Sequence, residues 1–194
     1  MNPALIDLPE AIETPRLYIR RPLPGDGPVL NASIIETWES LQATMNWAQE
    51  RPTVEESETR VRHQCAAFMT RTDLPMLVFL SDRRTHVGCT GLHRMDWDVP
   101  RFEIGYWVRS SFEGQGYVTE TVRALTDFAM GTLGAQRVEI RCSHRNTRSQ
   151  RVAERCGFTL EGRLRNDARE PDGELRDTLI YAKIAEASRA GAST

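Results

Sequence analysis

The spacing of apolar residues changes around residue 112, and this change constrains the fold more than any other feature of the sequence. From Phe102 to Val108 every second residue is apolar, whereas from Val118 to Ala129 apolar residues recur every three or four positions. A period of two predicts a strand, and a period near 3.6 predicts a helix. Because a glycine-containing loop, residues 112–116, joins the two segments, we expect a sharp strand-to-helix turn there.

Further strands and helices are predicted on both sides of this turn. Thr53 and Glu56 have the spacing of a capping box at a helix start. Short turns between three early strands predict an antiparallel meander, whereas the strand after the central helix makes one crossover. We therefore expect an α+β fold with a mixed, mostly antiparallel sheet and flanking helices. The predicted strands are 16–20, 76–80, 87–94, 102–108, 138–142, 158–160 and 178–184, and the predicted helices are 29–41 and those starting near Thr53, Val118 and Ser149.

Composition predicts one globular domain. The chain has 194 residues, of which 40% are hydrophobic and 27% charged. We expect an irregular leader over 1–13, a single domain over 14–184 and a frayed tail over 185–194. The net charge of −2 provides no basic field for nucleic acid. No apolar run approaches the roughly 20 residues that cross a bilayer, and the N-terminus does not have the pattern of a signal peptide. A cytoplasmic protein is the expectation.

The four cysteines do not predict a metal site. Cys65, Cys89, Cys142 and Cys156 form no C-x-x-C pair and no zinc pattern with the histidines. Buried apolar thiols in a reducing compartment are the expectation.

The loop Gly114-Gln115-Gly116 is a candidate anion site. Two glycines allow several backbone N–H groups to converge, and the following helix adds the positive end of its dipole. The sequence does not have the Gly-Lys-Ser/Thr of a nucleotidase P-loop. A dinucleotide fingerprint would need a third glycine where Thr119 stands, although Glu139 lies where such a fold places a ribose-binding acid. A purely steric role for the glycines is the other interpretation.

Asn146 and Ser149 form a second candidate site. Asn146 follows a predicted strand, and its amide can both donate and accept hydrogen bonds. Ser149 stands at the start of the next helix. The alternative is that both residues only cap that helix.

These motifs together resemble the GNAT acetyltransferases, and most closely the RimJ/RimL type that acetylates the N-termini of ribosomal proteins. The similarity runs from Thr14 to Ile184, nearly the whole chain. One departure is Ser111, where the general family pattern has Gln or Arg. The motifs that carry the resemblance are Glu103-Ile-Gly-Tyr-Trp-Val, Gly114-Gln-Gly-Tyr-Val-Thr-Glu, Asn146-x-x-Ser149 and Cys156-Gly-Phe-Thr-Leu-Glu-Gly.

The resemblance implies a GNAT-like sheet whose central parallel strands, ending at Val108 and Cys142, splay apart around acetyl-CoA as co-substrate. The loop would hold the pyrophosphate, and the backbone near Val108 would pair with the pantetheine arm. The residues implied to bind the cofactor are Trp107, Val108, Glu113, Gly114, Gln115, Gly116, Tyr117, Val118, Thr119 and Asn146.

The catalytic roles also follow from the resemblance. Ser149 would face the cofactor sulfur as an acid. Glu103 is the preferred base, Asp167 lies near the position of an acidic base proposed for RimL-like enzymes, and Glu161 is a third option. Each carboxylate has the alternative interpretation of a solvated or ion-paired surface group.

The acceptor is expected to bind between residues 36–52 and 165–176. Trp38, Met45 and Trp47 offer apolar surface in the first segment, or pack in the core. A protein N-terminal α-amine is the expected acceptor. A small amine such as an antibiotic or polyamine, and a module that binds coenzyme A without catalysis, remain alternatives. Relatives of this kind are often dimers, and no sequence feature decides the oligomeric state.

Overall fold

The structure is a computed structural model that describes residues 3–185. Eight strands and five α-helices follow one another in the described part of the chain, with short 3-10 turns at Pro3–Leu5 and Ser110–Phe112. The strands are β1 (Ala11–Glu13), β2 (Leu17–Arg20), β3 (Leu74–Leu80), β4 (His86–Asp96), β5 (Arg101–Val108), β6 (Arg137–Ser143), β7 (Thr159–Arg169) and β8 (Leu175–Ile184), and the helices are α1 (Gly27–Glu36), α2 (Trp38–Thr44), α3 (Val54–Thr70), α4 (Tyr117–Gly131) and α5 (Thr147–Arg155).

All eight described strands form one sheet in the order β1-β2-β3-β4-β5-β6-β8-β7. Every neighbouring pair is antiparallel except β5 and β6, which are parallel and are connected through α4. The predicted mixed sheet, with its meander and single crossover, is therefore confirmed. The capping box at Thr53 and the left-handed Gly157 (φ 77°) are confirmed as well.

Helices cover the sheet on both faces. Side chains of α4 and α5, among them Val122 and Val152, pack with Ile104 and Ile140 in the larger core. The second core contains residues of α1, α2 and α3, and Cys89 and Trp107 pack against it from the sheet. Because Cys89 and Trp107 are cross-strand partners, their side chains share one face of the sheet. The next pair along, Thr90 and Tyr106, points to the opposite face.

Two predicted segments differ from the structure near the N-terminus. The leader is not irregular throughout, because residues 11–13 pair with β2 and extend the sheet by one short strand. The helix predicted over 29–41 is two helices that meet at Thr37 (φ −98°, ψ 8°). The Thr37 hydroxyl accepts a hydrogen bond from the Ser110 N–H, a contact between distant parts of the chain that local sequence does not encode.

The C-terminal strands also differ from the prediction. The strand predicted over 158–160 extends to Arg169, and it forms a hairpin with β8 around Gly173 (φ 89°). Its side chains are mostly exposed, so the polar composition of this edge strand gave little apolar periodicity. In the expected tail, Ala185 donates to the Gln136 carbonyl, and residues 186–194 lie outside the described residues.

His86 stands at the start of β4 and is only 1% exposed. Its Nδ1 lies 2.7 Å from the Ser33 hydroxyl, which itself donates to the Val29 carbonyl. A hydroxyl has one hydrogen, and Ser33 donates its hydrogen to Val29. His86 Nδ1 must therefore carry a hydrogen and donate it to Ser33, so that Nε2 of the neutral ring has none. Burial lowers the pKa of His86 to about 4. The ring also packs edge-on against Trp107, with centroids 6.1 Å apart.

The buried His86 predicts that stability depends on pH. The folded pKa of about 4 lies below the ordinary value of 6.5, so between these values the unfolded chain binds more protons and stability falls as pH falls. The full effect is about 3 kcal/mol. Urea unfolding between pH 7.5 and pH 4.5 should show this slope in the wild-type protein, and His86→Gln should reduce it. His63→Gln, at an exposed histidine on α3, is the matched control. Equal slopes in wild type and His86→Gln would contradict the assignment.

Candidate active site

The central parallel strands separate soon after they begin. β5 and β6 pair only at Arg101–Arg137, Phe102–Val138 and Glu103–Glu139. Beyond Glu103, β5 continues along β4 to Val108, and β6 continues along β8 to Ser143. A wedge-shaped gap therefore opens between the C-terminal ends of β5 and β6. It belongs to a continuous cleft of about 3050 Å³.

A glycine on β4 accounts for the direction that β5 takes. A Cβ atom at Gly88 would lie 2.3 Å from the Trp107 carbonyl oxygen and 2.9 Å from the Val108 Cα. The two backbones can approach so closely only because Gly88 has no side chain. The end of β5 is thus held against β4, on the side away from β6.

The glycine loop lies at the open end of this gap. Gly114 (φ 74°) and Gly116 (φ 81°) both adopt the left-handed conformation that disfavours other residues. Gly116 is the N-cap of α4, and no side chain caps the helix there. The first N–H groups of a helix have no partner within it. This helix start can therefore bind an anion through backbone donors.

Arg16, just before β2, connects the loop to the first turn of α4 through hydrogen bonds. Its guanidinium donates to the Gln115 carbonyl (3.0 Å) and to Glu120 in the first turn of α4 (2.6 Å), and it stacks on the Tyr117 ring. The Gln115 side chain bends back onto the Ser111 carbonyl. Nine of the ten residues predicted to bind the cofactor line the cleft, and Gln115 is the exception.

Four arginines from the start of β2, from α4 and from α5 line the cleft: Arg16, Arg123, Arg148 and Arg155. Two of them contact the glycine loop, because Arg16 donates to the Gln115 carbonyl and Arg148 pairs with Glu113 at 2.8 Å. Arg123 donates to the Arg155 carbonyl. Guanidinium groups bind phosphates well, so these arginines are candidate phosphate ligands.

The second predicted site lies across the gap, at the start of α5. Asn146 is the N-cap, and its Oδ1 accepts from the Ser149 N–H at 3.0 Å. The capping interpretation is therefore correct for Oδ1, and the amide nitrogen of Asn146 is still able to donate to a ligand. The Ser149 hydroxyl lies 2.8 Å from the Tyr106 hydroxyl on β5. Burial raises the pKa of Tyr106, so that its hydroxyl stays protonated.

The two candidate bases lie on the other face of the sheet, on either side of Arg141. Glu103 stands where the gap begins, and its Oε2 lies 3.3 Å from Arg94 Nε and 3.9 Å from Arg141 Nε. That oxygen is buried and makes no hydrogen bond within the described chain. Burial raises the pKa of Glu103, and the arginines oppose this rise. Asp167 is exposed, pairs with Arg141 at 3.3 Å and is not among the residues that line the cleft. Glu161 is bound by Arg137 at 2.6 Å.

The two segments expected to bind the acceptor approach one another. Asn46 donates to the Arg169 carbonyl at 3.3 Å, and residues of both segments line the cleft. Trp38 is core, with 6% exposure, whereas Trp47 is 38% exposed and stacks with Arg60. Met45 packs partly against the core. Because Trp38 is buried and Met45 is partly buried, the apolar surface available to an acceptor is smaller than the sequence predicts.

Sequence reasoning did not find several residues that shape this site. In the sequence, Tyr106 was only one of the apolar residues that alternate along a predicted strand. In the structure its hydroxyl contacts Ser149, which lies 43 residues further along the chain. Arg141 and Arg16 looked like ordinary surface cations. Gly88 had no local signal, because its role depends on a neighbouring strand.

The described residues give no support to a metal site. No group of three or more His, Cys, Asp or Glu residues among them is arranged to hold a metal ion, and all four cysteines are free. Over residues 3–185, no helix has the length and apolar character to cross a membrane.

Sequence comparison relates the chain to known acetyltransferases. The family described as Acetyltransferase (GNAT) domain matches residues 16–159. The ribosomal-protein-serine acetyltransferase of Escherichia coli (strain K12) is 29% identical over 156 residues, which cover 78% of this chain and 82% of that protein. YdaF of Bacillus subtilis (strain 168) is 37% identical over 97 residues, and here the chain spans only about half (52%) of the relative.

Solved structures extend the likeness to the whole fold. RimL, a ribosomal L7/L12 α-N-protein acetyltransferase in complex with coenzyme A, superposes with a TM-score of 0.85 at 26% identity, covering 92% of this chain and 100% of that one. MccE, the microcin C7 self-immunity acetyltransferase in complex with acetyl-CoA and AMP, has a TM-score of 0.84 at 24% identity over 92% and 98% of the two chains, and shows the fold alone. The wedge between β5 and β6, the glycine loop at the start of α4 and the family match together establish that the chain belongs to the GNAT acetyltransferase family.

Proposed function

We propose that this protein transfers the acetyl group of acetyl-CoA to a protein N-terminal α-amine. The observation that carries the proposal is the wedge between β5 and β6, which has an anion-binding helix start at one end and the Ser149 hydroxyl on its far side. Such a gap suits an extended ligand with a pyrophosphate at one end and a thioester at the other. Coenzyme A has this shape.

Different residues around the gap would bind different parts of the cofactor. The loop 113–119 would receive the pyrophosphate through backbone N–H groups, with Arg16 and Arg148 beside it. The free edge of β5 near Trp107 and Val108 would pair with the amides of the pantetheine arm, much as a strand would. The Asn146 amide nitrogen would donate to the same arm.

The thioester would then lie near Ser149. A neutral amine attacks the carbonyl carbon, and a backbone N–H at Val108 is suited to stabilise the oxyanion. The Ser149 hydroxyl would donate its proton toward the departing thiolate, and the Tyr106 hydroxyl, which lies 2.8 Å away and stays protonated, would orient Ser149. Tyr106 thereby joins Ser149 as a proposed contributor to the reaction.

Of the two proposed bases, Glu103 is better supported than Asp167. The Glu103 side chain is mostly buried, lines the cleft and has a carboxylate oxygen without a hydrogen bond. An acceptor ammonium would satisfy that oxygen. Asp167 is exposed and does not line the cleft.

The relatives support a protein N-terminus as the acceptor. The Escherichia coli relative is named for a ribosomal-protein serine, and RimL for the α-amine of L7/L12. The cleft runs between α2 and the β7–β8 turn and is open at the surface, and Glu39, Glu170 and Asp172 line it. An extended, positively charged N-terminus fits such a channel, and ribosomal proteins would place the reaction in the cytoplasm.

A panel of amines tests this function. Thiol release from acetyl-CoA and product mass should identify transfer to peptides with a free N-terminal serine. The matched control is the same peptide with a blocked N-terminus and an internal lysine, which should not react. Transfer only to polyamines or antibiotics would overturn the N-terminal assignment. Coenzyme A binding without transfer to any amine would leave a binding module instead of an enzyme.

Ser149→Ala should lower turnover and leave cofactor affinity intact. We expect kcat to fall by roughly 10- to 100-fold, at the low end of general-acid contributions, because a thiolate leaves readily. Calorimetric titration with coenzyme A should give a Kd close to that of the wild type. Ser81→Ala, at an exposed serine on the strand-connecting turn, is the control. Unchanged turnover in Ser149→Ala would remove the hydroxyl from the reaction.

Gly116→Trp should abolish cofactor binding. The residue has φ 81° and forms the N-cap of α4, so any side chain strains the backbone by about 1–2 kcal/mol and a large one covers the N–H groups. We expect coenzyme A affinity to fall by more than about tenfold. Gly162→Trp provides the matched control, because a Cβ there meets nothing within 4 Å. Normal affinity in Gly116→Trp would contradict the phosphate assignment.

A further inference from the structure

A histidine–aspartate pair lies beside Glu103 and has no role in the account above. His93 Nδ1 is 2.7 Å from Asp73 Oδ1. His93 is on β4 directly opposite Glu103 on β5, and both side chains line the cleft. Directly opposed residues on one face of a sheet have Cβ atoms about 5 Å apart. The imidazole and the Glu103 carboxylate are therefore neighbours on one face of the sheet.

Two glycines make room for this imidazole. A Cβ at Gly91 would lie 2.8 Å from both Cε1 and Nε2 of His93, and a Cβ at Gly105 would lie 2.8 Å from Cδ2 and 3.0 Å from Nε2. Gly91 and Gly105 are cross-strand partners. The Nε2 edge of the ring thus lies flat across a glycine floor shared by β4 and β5, and any larger residue in that floor would displace it.

This position brings Nε2 toward the reaction centre. Gly105 and Trp107 are two residues apart, about 7 Å along the strand, and Trp107 stands beside the cofactor gap. The His93 side chain is 37% exposed, and Asp73 is 36% exposed. The ring is therefore fixed by its partner and still open to substrate and to water, which can carry a proton away.

We propose that His93, oriented by Asp73, accepts the proton of the acceptor ammonium, while the carboxylate of Glu103 binds that ammonium. Imidazole is the commonest general base in enzymes. Asp73 at Nδ1 favours the tautomer with the hydrogen on Nδ1, so the lone pair that can accept a proton is on Nε2. This division of roles rests on the proposed acetyl transfer and assigns Glu103 to binding instead of proton removal.

Acetyl transfer by this route removes two protons from the acceptor ammonium. The ammonium gives one proton to His93 Nε2 and becomes a neutral amine, and the imidazolium releases that proton to water. The amine nitrogen forms a bond to the thioester carbon, and the carbon–sulfur bond breaks. The nitrogen loses a second proton to water as the amide forms, the thiolate takes the proton of Ser149, and water returns a proton to Ser149. The products are the acetylated amine, coenzyme A and one proton in solution.

Charges on four neighbouring elements surround the imidazole. Asp73 precedes β3, Arg94 is next to His93 on β4, Glu103 is on β5, and Glu139 and Arg141 are on β6 beside Glu103. Arg60 of α3 lines the same cleft. A variant at any of these charged residues would therefore change the surroundings of the imidazole without removing it.

Steady-state kinetics of His93→Gln tests the proposal, with an amine that the wild-type protein acetylates. We expect kcat to fall by about 100-fold or more, with the acceptor KM and the coenzyme A Kd close to wild type. The limb of the kcat–pH profile that reports a base in the bound complex should disappear. Glu103→Gln should instead mainly raise the acceptor KM. His63→Gln, at an exposed histidine, is the matched control for the substitution.

Two further variants keep the test decisive if His93→Gln does not fold, as judged by Tm and coenzyme A binding. Asp73→Asn keeps the imidazole but removes the carboxylate that orients it, so kcat should fall here as well. Gly105→Ala should do so as well, because its Cβ would lie 2.8 Å from His93 Cδ2, whereas Gly162→Ala should not. Wild-type kcat and pH profile in the folded variants would overturn the proposal and leave the acetyltransferase function standing. A wild-type protein that acetylates no amine would overturn both.

Discussion

The separation of β5 from β6 is the constraint on which the rest of the site depends. Parallel strands normally pair along their length, and here they pair at only three positions. The backbone of β5 past Glu103 is bonded on its β4 side, and the opposite edge faces the gap. Gly88 makes this geometry available, because its missing Cβ lets β4 hold the Trp107–Val108 end of β5.

The gap also divides the chemistry between the two faces of the sheet. Tyr106 and Ser149 meet on the face covered by α4 and α5, where the cofactor sulfur would lie. Glu103 and Trp107 point to the face covered by α1, α2 and α3, where an acceptor would enter. Because side chains alternate along β5, the proposed acid and the proposed acceptor site lie on opposite faces of the sheet. The thioester would cross the sheet between them.

Local sequence predicted those parts of the molecule that depend on short spacings. The capping box at Thr53, the left-handed Gly157 and the strand–loop–helix unit each involve a few neighbouring residues, and each is confirmed. The crossover and the meander followed from the order of these elements. Nine of the ten residues expected around the cofactor line the cleft, and eight of these nine lie along the strand–loop–helix unit.

Contacts between distant segments were not predictable in this way. The break between α1 and α2 depends on a hydrogen bond from Ser110 to Thr37. Tyr106 meets Ser149, and His93 meets Asp73, only because the folded sheet brings distant segments of the chain together. The strand β7 is almost entirely exposed, so it has no apolar period to recognise. These features come from tertiary structure, which overrides or adds to local preference.

The joint between α1 and α2 also couples the two halves of the site mechanically. Thr37 binds the Ser110 N–H, and Glu36 binds the Ser111 N–H and, at 2.5 Å, Arg109. The junction of α1 and α2 is therefore anchored to the short segment that leads into the glycine loop. A movement of residues 109–111 would for this reason also move the start of α2.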